Sequence, residues 1–166
     1  EYEFLVTVNS ESDITFVKDE LWTFYPSDLD GNVHTHYETV RRYNIDFDNQ
    51  TVSLKGQFEH NWGHVNTVDY SEANDTLVFG NGSGKYGTEG QIYLIKNPMQ
   101  YVNQPQVNIY DVALIINFGE YDFGSKFNVV WGESNQGRNN IIYLITNDQQ
   151  DIRRIVLGKD GNGEFD

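Results

Sequence analysis

Short apolar-rich runs alternate along the chain with clusters of Asn, Asp, Gly and Ser, the layout of half-buried strands joined by turns. Strands are expected near residues 13–17, 21–25, 37–47 and 51–58, separated by turns at 27–32 and 48–50. These make a four-stranded module over about 12–58. A second module, about 64–110, takes strands at 64–70, 76–80 and 91–95 and a fourth around 106–110. The third, about 111–158, takes 111–118, 127–132, 141–146 and 152–157.

The pattern also repeats. Ile92-Tyr93-Leu94-Ile95-Lys96-Asn97 returns fifty positions later as Ile142-Tyr143-Leu144-Ile145-Thr146-Asn147. Val78-Phe79-Gly80 before the first copy matches Val130-Trp131-Gly132 before the second, and Arg42-Tyr43-Asn44-Ile45 is a fainter third copy. Tyr43, Tyr93 and Tyr143 are therefore expected on corresponding inner rungs. Antiparallel units of about 50 residues fit propeller blades, and propellers close with about four to eight. Three modules would be an incomplete ring, finished by further sequence or by another chain. The expectation is one all-β domain, a partial or chain-completed β-propeller, with a β-sandwich as the alternative. The end of the sequence, Gly161-Asn162-Gly163-Glu164-Phe165-Asp166, reads as a turn with a new strand beginning, which points to a piece of a longer polypeptide.

Composition supports the strand reading. Val and Ile number 15 and 12, against 9 Leu, 2 Ala and 1 Met, so β-branched residues outweigh the best helix formers. The 166 residues can bury a core without disulfides, and the chain has no cysteine, which excludes thiol catalysis and Cys-ligated zinc. A net charge of −14 repels phosphate backbones and anionic membranes, so neither nucleic acid nor a membrane is an expected partner.

Functional residue types are densest at Glu59-His60-Asn61-Trp62-Gly63-His64-Val65-Asn66, at the junction of the first two modules. An aromatic face beside hydrogen-bonding groups suits a pyranose, whose apolar face stacks while its hydroxyls take directional bonds. The competing reading packs Trp62 between modules and uses His64 to cap a turn. Tyr86 and Trp131 flank equivalent strand connections and join His60, Trp62, His64 and Asn66 as the expected ligand-binding set. The pairs His34/His36 and His60/His64 have no third metal ligand at fixed spacing. Asp28-Leu29-Asp30-Gly31-Asn32 and Asp160-Gly161-Asn162-Gly163-Glu164 imitate parts of a calcium loop, but Val33, Thr39 and Gly158 stand at required positions. No cofactor is expected beyond a fortuitous calcium ion. Gly82-Ser83-Gly84-Lys85-Tyr86-Gly87 fits a dinucleotide pattern, yet a strand rather than a helix follows it.

The segments His64-Val65-Asn66-Thr67-Val68-Asp69-Tyr70, Leu77-Val78-Phe79-Gly80-Asn81-Gly82-Ser83 and Val156-Leu157-Gly158-Lys159-Asp160-Gly161-Asn162-Gly163-Glu164-Phe165 resemble propeller-type blades in tail-fibre or receptor-binding proteins of phages that infect Gram-positive bacteria. The resemblance covers roughly residues 60–166. It implies a trimeric virion component, in the phage tail or extracellular, that meets other tail proteins and attaches to cell-wall saccharide or teichoic acid. The function expected is accordingly non-enzymatic binding of a cell-surface glycopolymer. The alternatives are a polysaccharide hydrolase using paired carboxylates in a propeller funnel and a purely structural platform.

Overall fold

A computed structural model describes residues 13–33, 36–81, 91–117, 127–132, 139–146 and 152–158. Within them the chain is all-β. The first sheet is an antiparallel meander of β1 (Asp13–Val17), β2 (Glu20–Tyr25), β3 (Glu38–Asp46) and β4 (Thr51–His60). The second joins β5 (Val65–Ser71), β6 (Thr76–Asn81), β7 (Gln91–Lys96) and β9 (Ala113–Asn117). The third contains β10 (Phe127–Gly132), β11 (Ile141–Thr146) and β12 (Ile152–Val156). The remaining strand, β8 (Gln106–Val107), pairs in parallel with the end of β4.

Turn chemistry places the reversals. Val17 faces Glu20 across a two-residue turn in which Lys18 is left-handed (φ 57). At Asp46 the carboxylate accepts the backbone and side-chain N–H groups of Asn49, so an Asx turn delivers the chain from β3 to β4. Asp28 does the same for Asn32, with Gly31 at φ 86, in the stretch whose sequence imitates a calcium loop.

Two cores hold the sheets together. Trp22, Phe24, Val40 and Phe58 of the first sheet meet Leu77, Phe79, Tyr93 and Ile95 of the second. On the second sheet's opposite face, Val78, Ile92 and Leu94 meet Val129, Ile142 and Leu144 of the third. The middle sheet is thus covered on both faces, which explains why Ile92 through Ile95 are all buried instead of alternating.

Side-chain clips also join the first strands of successive sheets. Asp13 of β1 accepts the Val68 N–H of β5 at 2.7 Å, and Asp69 of β5 accepts the Trp131 N–H of β10 at 2.8 Å. Thr67 Oγ1 both accepts from Val129 N and donates to Val129 O. Successive sheets packed face to face, with their first strands side by side, have the order of neighbouring propeller blades.

Two expected strands are placed differently. Residues 113–117, expected to open the third module, instead complete the second sheet, where Ile115 packs into the first core and Ile116 into the second. The segment near 106–110 is not that sheet's fourth strand. Only Gln106–Val107 forms a strand, and it pairs with β4; the Asn108 side chain then accepts the Tyr110 N–H and starts the helical turn Ile109–Val112.

The repeat is corrected as well. Tyr43 and Tyr93 sit in the third strands of their sheets, whereas Tyr143 sits in the second strand of a sheet whose first is β10. Tyr93 is buried in the first core, but Tyr43 and Tyr143 are half-buried on faces turned away from the cores. Ile92 and Leu94 face Ile142 and Leu144 across one interface, so the two copies meet face to face rather than repeating in the same sense. A shift of one position, or one strand, sends a side chain to the other face of a sheet.

Candidate functional site

The crossover between the first and second sheets is mostly core. Trp62 is 2% exposed, and a ring this enclosed offers no platform for a sugar. It lies instead in a file of rings: His60 at 4.7 Å, Phe79 at 5.1 Å and, beyond Phe79, Tyr93 at 5.0 Å. His60 is fully buried and its Nδ1 accepts the Trp62 N–H, which leaves the proton on Nε2. Burial pushes its imidazole down to about 3, so it is neutral. His64 keeps 30% of its side chain exposed and pairs with the buried Glu38 at 3.2 Å rather than capping a turn. Trp62 thus takes the packing reading of the sequence, between sheets, whereas the turn-capping part given there to His64 is replaced by its pairing with Glu38.

The remaining expected residues divide. The side chain of Asn66, together with Tyr86 and His34, lies outside the described residues, as does 160–164. His36 lines a cleft of about 440 Å³ with Tyr37, Asn61 and Tyr110. Trp131 lines a larger one.

That cleft, about 540 Å³, is bounded by Asp69, Tyr70, Ser71, Glu72, Ala73, Trp131, Gly132 and Asn139. A second hollow of about 610 Å³ shares Tyr70 and Glu72 with it and adds Lys18, Asp19 and Asp75. Its walls are the β1–β2 turn, the β5–β6 turn and the end of β10. Because the first strand of each sheet finishes on this side, the three ends form one groove.

The groove is held firmly. Trp131 is half-buried: its indole N–H donates to Thr76 O at 3.2 Å and its backbone N–H to Asp69. The other Asp69 oxygen accepts the Tyr70 N–H. Tyr70 O–H donates to Asp75 at 2.7 Å, and Lys18 approaches the second Asp75 oxygen at 3.5 Å. Burial, first, and then the hydrogen bond and charge of Asp75 raise the Tyr70 phenol, so it stays protonated. Beside Trp131, the Tyr143 ring covers the backbone of Gly132, where a Cβ would collide with it.

Two half-exposed aromatics thus stand among fixed acceptors and the exposed Glu72. With Asp19, Asp69, Glu72 and Asp75 against Lys18, the groove is acidic. Among the described residues no group of three or more His, Cys, Asp or Glu side chains is placed to hold a metal. Of the residues lining this cleft, the sequence reading named Trp131 but not Tyr70 or Glu72, because their proximity depends on which strand ends meet; a turn rich in polar residues after a strand was the only local sign.

No family model and no curated protein matches the chain. Among solved structures it is similar to the periplasmic gluconolactonase PpgL of Pseudomonas aeruginosa, at 14% identity and a TM-score of 0.47. The match covers 79% of this chain and 35% of that one, so the chain spans about a third of that protein's length. At this distance the likeness bears on neither ligand nor activity.

Proposed function

We propose that the protein is a non-enzymatic saccharide-binding module whose ligand lies in the groove between Tyr70 and Trp131. The observation that carries this reading is the pairing of two half-exposed rings with Asp69, Ser71, Glu72 and Asn139 in one cleft of about 540 Å³. Rings supply apolar contact to a pyranose, and carboxylate and amide oxygens accept its hydroxyl protons. Binding without turnover is favoured because the half-buried Asp69 and Asp13 are committed to backbone, Asp69 to Tyr70 and Trp131 and Asp13 to Ile14 and Val68. Acids so occupied make poor proton donors. In a tail-fibre setting the ligand would be a cell-wall glycopolymer, and the acidic groove favours uncharged saccharide over phosphate-bearing teichoic acid.

Titration of neutral cell-wall oligosaccharides into the protein tests the proposal. Trp131→Ala and the exposed-site variant Glu72→Gln should each weaken binding, the former by about tenfold for a lost ring contact of ~1.5 kcal/mol. Thermal melts of both variants separate lost contact from lost fold. Absence of saccharide binding by the wild-type protein, or equal binding by the folded Glu72→Gln and Trp131→Ala chains, would overturn it.

A further inference from the structure

The cleft lined by His36, Tyr37, Asn61 and Tyr110 lies at the far end of the first sheet from Lys18. His36 and Tyr37 lead into β3 and Asn61 follows β4, and the pairing of Glu38 with His60 sets these two points side by side. Lys18 instead lies near Glu20, which pairs with Asn44 toward the other end of β3. The six residues of β2 separate the two ends by roughly 17 Å, so this cleft and the groove of Tyr70 and Trp131 are different places. Tyr110 is 71% exposed, and a single exposed ring is ordinary. Its backbone, however, is tied down. The Tyr110 N–H donates to Asn108 Oδ1 at 3.1 Å, and the same oxygen accepts from Asn61 Nδ2 at 3.2 Å. Asn61 Oδ1 takes the Ile109 N–H at 2.8 Å, while the Val107 and Ile109 side chains are buried in the first core. Upstream, Gln106 donates to Glu59 at 2.9 Å and β8 pairs with β4. An aromatic presented on so fixed a backbone loses little freedom when it binds.

We infer that this cleft is a second saccharide site, in which Tyr110 is the platform for a sugar ring and Tyr37 and His36 supply the hydrogen-bonding groups for its hydroxyls. Its volume of about 440 Å³ falls within the range of small-ligand sites. Among the described residues no carboxylate lines it, whereas the groove is acidic, so the two sites hold sugar by different groups. The side chain of Asn61 is spent on the backbone of Ile109 and on Asn108, which makes it a positioning residue for Tyr110. The ligand class rests on the saccharide reading of the groove; the residues do not. With roughly 17 Å of sheet between the sites, a disaccharide in one does not reach the other.

Calorimetry and saturation-transfer NMR with neutral disaccharides of hexose and of N-acetylhexosamine test the inference. The expected result is two sites per chain. Tyr110→Ala should weaken one of them by about tenfold and leave the other, Trp131→Ala should do the converse, and the double variant should weaken both. Tyr110→Phe keeps the ring and should stay within about threefold of wild type. His36→Ala alters a different, exposed lining residue and should weaken the same site as Tyr110→Ala, with thermal melts of every variant reporting its fold. A single site that Trp131→Ala abolishes, and that Tyr110→Ala and His36→Ala leave untouched, would overturn this inference alone. A single site with the reverse dependence would overturn the groove and support the cleft. Absence of binding by the wild-type chain would overturn both.

Discussion

His60 shows how one buried polar side chain couples the fold to pH. Its ring fills space between Phe24 and Trp62, and its Nδ1 is occupied by the Trp62 amide. In the unfolded chain the imidazole takes up a proton near pH 6.5, whereas in the folded protein burial holds it off until about 3. The unfolded state therefore binds more protons between these values, and stability falls as pH falls through that window. Acidification from pH 6.5 to about 4.5 should cost on the order of 2 to 3 kcal/mol from this group. In His60→Asn the amide oxygen can still accept from Trp62, so urea midpoints measured over the same range should lose that slope. An unchanged slope would remove His60 from the account. The Glu20 carboxylate is buried too, but it lies 3.4 Å from Arg42 and 2.7 Å from Lys55, so its charge is paired.

At the scale of elements, the clips between β1, β5 and β10 do what no single strand could. Thr67, Asp13 and Asp69 reach from one sheet's first strand to the backbone of the next, satisfying amides that lie between sheets. Thr67→Val removes the partner of Val129 N–H and C=O at almost constant volume and should lower stability by about 1 to 3 kcal/mol, read from the urea midpoint. Asp69→Ala should cost a similar amount and also weaken saccharide binding, since Asp69 fixes Trp131 and Tyr70; Thr67→Val should leave affinity near the wild-type value. Asp13 acts with the opposite pH sign to His60. Desolvation, foremost, raises its carboxyl despite the Ile14 and Val68 amides, so this group favours the fold more as pH drops toward its raised value.

For the whole molecule, charge sets which ligands can approach the groove. The chain carries −14, and Asp19, Asp69, Glu72 and Asp75 make the groove itself acidic. Screening shortens the reach of that field from about 10 Å at 0.1 M salt to about 3 Å at 1 M. Affinity for an uncharged saccharide, measured by titration calorimetry across that range of sodium chloride, should therefore stay nearly constant.

Strand positions were legible in the sequence because alternation and turn chemistry are local: β1, β10 and β11 fall where the pattern puts them, and the others within one or two residues except β8, which stops three residues short of the expected end. Asx turns at Asp28 and Asp46 are equally local, each closing on its own neighbours. Sheet membership was not legible. Whether Ala113–Asn117 ends one sheet or begins the next depends on which edge is free to pair, and β7 offers that edge. The matching of Tyr93 with Tyr143 failed for a related reason, since identical strands carry no mark of their rank or of the face they present. Trp62 and Trp131 show the same division at the site. Both are aromatic residues beside polar ones in the sequence, and only the packing of sheet upon sheet encloses the first and leaves the second half open beside Tyr70. Local preference determines where a strand begins and turns; what covers it is decided by partners distant in the chain.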